Sequence, residues 1–241
     1  MKCALCREEK SVCKSHIIPE FLYTPLYDDK NHKFMVVSTD PNEFNRNPSQ
    51  GVYEKLLCRD CETVLGVYES YAKGVLLQKI KEGITSSGKR FVVSGLDYAK
   101  VKLFLLSILW RAGITTRPEF SIVKLRKHSE ILRQMILDQQ PGESYEYGCF
   151  LHVPLFKGRV VEDMIFPPTI IRFQNQRGYK FMFGGLFWYF FVSSHTEQLP
   201  TELKQKFLSK DGHLSVYKES KHLEKYLNEY AMDLKQGGKI P

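Results

Sequence analysis

Two Cys-x-x-Cys pairs, Cys3 with Cys6 and Cys58 with Cys61, take up four of the six cysteines in this 241-residue chain. A two-residue spacer forms a tight knuckle that aims both sulfurs at one ion, and two knuckles supply the four soft ligands of a closed tetrahedral zinc site. The chemistry expected of such a set is structural. Fifty-one residues lie between Cys6 and Cys58, far more than in a compact zinc ribbon, so something is inserted between the halves. Two alternatives stay open. Cys-x-x-Cys pairs also serve as redox dithiols. The stretch CALCREEKSVCKSH offers a local set of Cys3, Cys6, Cys13 and His16, which would leave Cys58 and Cys61 without a metal. Under the four-cysteine arrangement, Cys13 and Cys149 read as buried single thiols.

His16 stands in KSHIIPEF, ten residues after Cys6. It is a further zinc ligand, a structural residue bonded to the knuckle backbone, or a group that the knuckle positions for chemistry.

The elements that must hold these residues follow from pattern. Residues 1–61 are rich in Cys, Pro, Asn and Asp, with short extended stretches such as HKFMVVS and a turn-rich link, TDPNEFNRNPSQG. Such a segment buries little apolar surface without a staple. From Glu62 the pattern turns helical, with Val64, Tyr68, Tyr71 and Val75 as an apolar stripe and Gly83 as its stop. The first cysteine pair then lies on a hairpin and the second at a helix N-terminus, which is the treble-clef layout. After a strand, KRFVVS, the segment LDYAKVKLFLLSILWRAG predicts a helix with Asp97 as N-cap and Gly113 past its end. It is apolar on nearly every face from Val101 to Trp110, which places it at the centre of the core.

A further helix is expected over 121–138, with Leu125, Leu132 and Ile136 on one face and Lys124, Lys127 and His128 nearly opposite. Those cations read as a solvated helix face or as a nucleic-acid patch. From Tyr145 to Ser194 the strands YEYGCFLHV, RVVEDMIF, TIIRFQ and YKFMFGGLFWYFFVSS, with NQRG as a hairpin turn, predict an antiparallel sheet. ESKHLEKYLNEYAMDLKQGG closes the chain as an amphipathic helix.

Composition bounds the rest. The chain is 43% hydrophobic, which excludes disorder, and its net charge of +8 favours polyanionic partners. The longest apolar runs, LFLLSILW and FMFGGLFWYFFV, fall short of the roughly 20 residues a membrane span requires. No apolar stretch follows the start MKCALCREEK, so a cytoplasmic protein with reduced thiols is expected.

The knuckle, the histidine in SHIIPEFLY and LLCRDCE leading into a helix together resemble the HNH, or His-Me finger, nuclease superfamily with its zinc-stapled ββα-metal core. SHIIP-x-F, LFLLSILWR and GGLFWYFFVS extend the likeness to a group of bacterial HNH-like proteins. The resemblance implies hydrolysis of phosphodiester bonds of nucleic acid, DNA ahead of RNA, in a setting such as phage or mobile-element defence. A histidine removes a proton from water, and a divalent ion stabilises the departing oxygen. His16 then takes the general-base position, and Glu62 the helix position that ligates magnesium or manganese. The acidic or His ligand usual before the base is Ser15 here, and Tyr53 falls near the expected middle Asn. Glu69, seven residues beyond Glu62, can add a second carboxylate on the same helix face, or pair with Lys73 at i,i+4.

The expected whole is α+β. An HNH-like zinc module over 1–83 joins a helical and antiparallel-sheet domain over 84–241. The rival functions are a catalytically inactive zinc-stapled module that binds nucleic acid, and one that docks a protein partner.

Overall fold

The chain is described here by a computed structural model covering residues 1–38, 40, 42–173, 176–193, 199–219 and 221–239. Strands β1 (Val12–His16) and β2 (Tyr53–Cys58) pair antiparallel and close the long insertion into one hairpin. Helix α1 (Arg59–Tyr71) leaves directly from β2 with Cys58 as its N-cap, three residues earlier than the apolar pattern predicts. A π-helical segment, Ala72–Leu76, links it to α2 (Leu77–Ile84). The buried stripe is Cys61, Leu65, Tyr68, Ala72, Leu76 and Ile80, so Tyr68 is the one member of the expected stripe that is fully buried. Val64, Tyr71 and Val75 pack at its edge.

Strand β3 (Arg90–Val93) leads to α3 (Tyr98–Ile114). The N-cap is the expected one, since the Asp97 carboxylate accepts the Lys100 N–H at 3.0 Å and satisfies an orphan donor of the first turn. Every residue from Val101 to Ala112 is buried. α3 forms the centre of the fold, packed on one side against α1 and α4 (Lys127–Leu137) and on the other against the main sheet, where the Phe104 ring meets Trp188 edge-on at 6.2 Å.

The helix expected over 121–138 begins only at Lys127, which corrects the placement of Lys124. Tyr179 explains the delay: its hydroxyl accepts the Lys124 N–H at 2.8 Å and lies 3.2 Å from the Lys124 carbonyl. Both backbone groups are thereby drawn away from a helical ladder. Leu125 adds a steric lock, because its side chain fills the space that a Cβ on Gly113 would need.

The main sheet adds β4 (Cys149–Phe156), β5 (Arg159–Val160), β6 (Phe166–Phe173), β7 (Gln176–Phe183), β8 (Leu186–Phe191) and β9 (Leu214–Glu219). Among the described residues its order is β3-β9-β4-β8-β7-β6, with β5 paired to β4. The pairs are antiparallel except β4 with β9, which run parallel. The YKFMFGGLFWYFFVSS run is two strands joined at Gly184 and Gly185, whose φ angles of +58° and +71° suit a tight hairpin turn that only glycine enters freely. Phe173 pairs with Gln176, so Gln176 to Gly178 of the expected NQRG turn are strand; Asn175 lies outside the described residues, as does Ser194.

Alternation along β8 sends Leu186, Trp188 and Phe190 toward α3, and Phe187, Tyr189 and Phe191 to a second apolar layer. The short α5 (Thr201–Lys204) and the closing α6 (Lys221–Gln236) supply Leu203 and Leu223 to that layer. Among the described residues no helix is long and apolar enough to cross a membrane.

Candidate functional site

The four paired cysteines converge. Residues 1–10 form a small turn in which the Cys3 N–H donates to the Glu8 carbonyl, and Ala4 N–H donates to Leu56 of β2 at 2.9 Å. Cys58 ends β2 and caps α1, and Cys61 sits in the first turn of α1, where the helix dipole favours thiolate. The four sulfurs lie within 4.8 Å of one another, with Cys6 Sγ 3.9 Å from Cys58 Sγ. A tetrahedral zinc ion with Zn–S bonds of about 2.3 Å would place its sulfurs about 3.8 Å apart, so this donor set fits a metal such as zinc. All six cysteines are free thiols. The local set with Cys13 and His16 is not assembled.

The protonation chemistry agrees with a cation. Burial pushes the Cys3 thiol up, but the backbone N–H groups of Cys58, Cys6 and Leu5 outweigh it and bring the group down to about 7. Burial and the neighbouring sulfurs of Cys58 and Cys3 push Cys61 far above the usual thiol range. Four thiols this close ionise together only around a positive ion.

His16 closes β1 directly opposite Tyr53, and the two rings meet edge-on at 6.0 Å. Its carbonyl accepts from Arg111 Nη1 at 2.7 Å. Its Nε2 lies 2.9 Å from Glu20 Oε2 but is buried without an aligned hydrogen bond. Glu20 is held by the Gly51 N–H at 3.0 Å and the Tyr27 hydroxyl.

Glu62, on the first turn of α1, is also inward. Its Oε1 is buried with no hydrogen-bond partner. Burial raises the carboxyl above its ordinary range, with Ser15, Arg111 and His16 drawing it down and Glu69 pushing it up. Ser15 therefore stands beside Glu62, fully buried, and its hydroxyl accepts the Leu57 N–H at 3.2 Å.

Glu69 lies in the same neighbourhood with a different partner from the one expected. Its Oε1 is 2.7 Å from Arg111 Nη2, so a buried guanidinium takes the carboxylate that the sequence assigns to Lys73 or to a cation. Arg111, 1% exposed, is the member of this neighbourhood that sequence reasoning misses. Its only signal is a polar pair, Ser107 and Arg111, at i,i+4 in an apolar helix, and the Ser107 carbonyl accepts its Nε at 3.3 Å. Glu20 is missed as well. Among the described residues the four cysteines are the only three or more His, Cys, Asp and Glu donors within 4.8 Å of one another; His16, Glu62 and Glu69 are neighbours without converging that closely.

The basic candidates divide. Lys124 and Lys127 are exposed, the first on an irregular segment and the second opening α4. His128 is half-buried, its Nδ1 3.0 Å from the Tyr147 hydroxyl. α4 itself docks on the cysteine turn, where Arg133 Nη1 donates to the Leu5 carbonyl at 2.6 Å and Arg7 pairs with Glu130. No family model matches the chain, and no curated protein or solved structure matches it.

Proposed function

We propose that the chain is a metal-dependent endonuclease of the HNH, or His-Me finger, kind. In this reading Cys3, Cys6, Cys58 and Cys61 hold a structural zinc in a treble-clef unit of β1, β2 and α1. The supporting observation is the buried Glu62 Oε1 without a hydrogen-bond partner, on the helix that carries Cys61 and in the neighbourhood of His16, whose Nε2 faces Glu20 at 2.9 Å.

In this reading the imidazole accepts a proton from water through the ring nitrogen that Glu20 does not face, and the Glu20 carboxylate, 2.9 Å from Nε2, stabilises the imidazolium. Arg111 fixes the strand end by holding the His16 carbonyl, so the ring is aimed by a contact that does not use its nitrogens. The orphaned Glu62 oxygen is a hard donor that suits magnesium or manganese, and a cation there would offset the burial that disfavours its charge. Bound at Glu62, such an ion supplies charge stabilisation for the departing oxygen.

A second reading, nucleic-acid binding without cleavage, is favoured by the Glu69–Arg111 pair, which leaves Glu62 as the inward helix carboxylate without an ion pair. Incubating the zinc-loaded protein with plasmid, single-stranded DNA and RNA separates the two. Cleavage of any substrate with magnesium or manganese, and none with EDTA, supports the nuclease. Binding with no cleavage under either metal leaves the second reading.

A further inference from the structure

We infer that the exposed face of the β1–β2 hairpin is a seat for the phosphodiester backbone of nucleic acid, built from Lys14, Lys55 and Arg117 around the ring of Tyr53. The inference rests on the nucleic-acid reading above but not on cleavage.

Register places the residues. Lys14 lies opposite Lys55 and His16 opposite Tyr53, while Ser15 and Glu54, between them, face the other side. The alignment depends on a bulge between Cys13 and Lys14, which adds a residue to β2 and re-aims the strand that follows. Lys14, Lys55, His16 and Tyr53 thus share one face, and both lysines are exposed. From the side, Arg117 donates through Nε to the Tyr53 carbonyl at 2.7 Å, with its guanidinium carbon 5.7 Å from the ring centre. Lys14 Nζ lies 4.6 Å from the same ring centre. One aromatic ring therefore collects two cations, with a third directly across the ladder from Lys14.

The two lysine charges are uncompensated. Like charges facing each other across an antiparallel pair repel, and among the described residues none of the three forms an ion pair. The Glu54 carboxylate, held by the hydroxyls of Thr115 and Thr116 and by the Thr116 N–H, feels Arg117 and offsets part of its charge, so the repulsion lies between the two lysines. A strand of phosphates laid over this face would relieve the repulsion and release its own counterions. It would pass beside His16. Lys124 and Lys127 share no such arrangement with the histidine, so the seat differs from the patch that the sequence suggests.

The test measures binding of labelled duplex DNA and duplex RNA to the zinc-loaded full chain by fluorescence anisotropy, without added magnesium or manganese, across a salt series. For Lys14→Gln/Lys55→Gln the expected result is at least a tenfold loss of affinity at low salt, and a salt slope lower by about 2, one for each phosphate contact. Lys14→Arg/Lys55→Arg keeps both near wild type, which separates loss of charge from loss of fold. Lys124→Gln/Lys127→Gln leaves the slope unchanged. Unchanged affinity and slope in Lys14→Gln/Lys55→Gln, a loss confined to Lys124→Gln/Lys127→Gln, or no binding of either duplex by wild type overturns the inference. A wild type that binds through this face and cuts nothing refutes the nuclease alone; one that cuts while the lysine variants bind normally refutes the seat alone.

Discussion

A buried guanidinium holds both His16 and Glu69, and that single residue reorganises the reading of the site. Arg111 lies on the central helix, far in sequence from the hairpin it fastens, and its partners come from β1 and α1. Truncating it leaves Glu69 facing an apolar helix and the His16 carbonyl unheld. Arg111→Met is therefore expected to lose about 3 kcal/mol in urea unfolding, the lower end for broken buried pairs, because Glu69 keeps some exposure. Glu62 gives a pH signature. Its carboxyl is raised by burial, so the folded state binds its proton more tightly than the unfolded chain does. That contribution is present below the unfolded carboxylate pKa and is lost as pH rises through the raised folded value. Without magnesium or manganese, Glu62→Gln should flatten this acid-side decline and exceed wild type in stability at neutral pH. The cysteines were legible because ligand spacing is local and strict. Arg111 and Glu20 were not, because their meaning comes from contacts at long sequence separation.

In the unit of β1, β2 and α1, the helix after the second cysteine pair was legible, although α1 begins at Arg59 rather than Glu62, while the pairing of β1 with β2 across the long insertion was not. Metal removal should act on this unit first. Chelation, or Cys58→Ser, is expected to expose the β1 and β2 amides to rapid hydrogen exchange, since the four sulfurs tie the turn of residues 1–10 to the end of β2 and the start of α1. Cys13→Ser should leave exchange and zinc content near wild type. α4 shows where periodicity misleads. Leu125 is buried with Leu132 and Ile136 as the helix pattern requires, but so is Val123, two residues away and nearly opposite on a helix, and Tyr179 engages the Lys124 backbone from the sheet. Tyr179→Phe removes that hydroxyl and should cost about 1–2 kcal/mol in urea unfolding, the penalty for leaving backbone groups unsatisfied. Strand β9 escaped notice for the related reason that its partner, β4, is a parallel neighbour more than fifty residues away. Nothing local marks such a pairing.

At the scale of the whole molecule, one apolar cluster runs from Cys3 and Leu5 through Trp110 to Val216, so the cysteine unit and the sheet share buried surface through α3. The mixed α+β class was legible in the sequence, because helical and strand periods occupy different stretches. The central claim is that this scaffold holds His16 as a proton acceptor for phosphodiester hydrolysis. The most direct measurement is the single-turnover cleavage rate of plasmid by wild type and His16→Ala, in magnesium and in manganese, with zinc content determined on both proteins. Wild type is expected to cleave and His16→Ala to be slower by about 100-fold or more, with equal zinc and an unchanged unfolding midpoint. Equal rates in the two proteins, or no cleavage by wild type in either metal, would contradict the central claim.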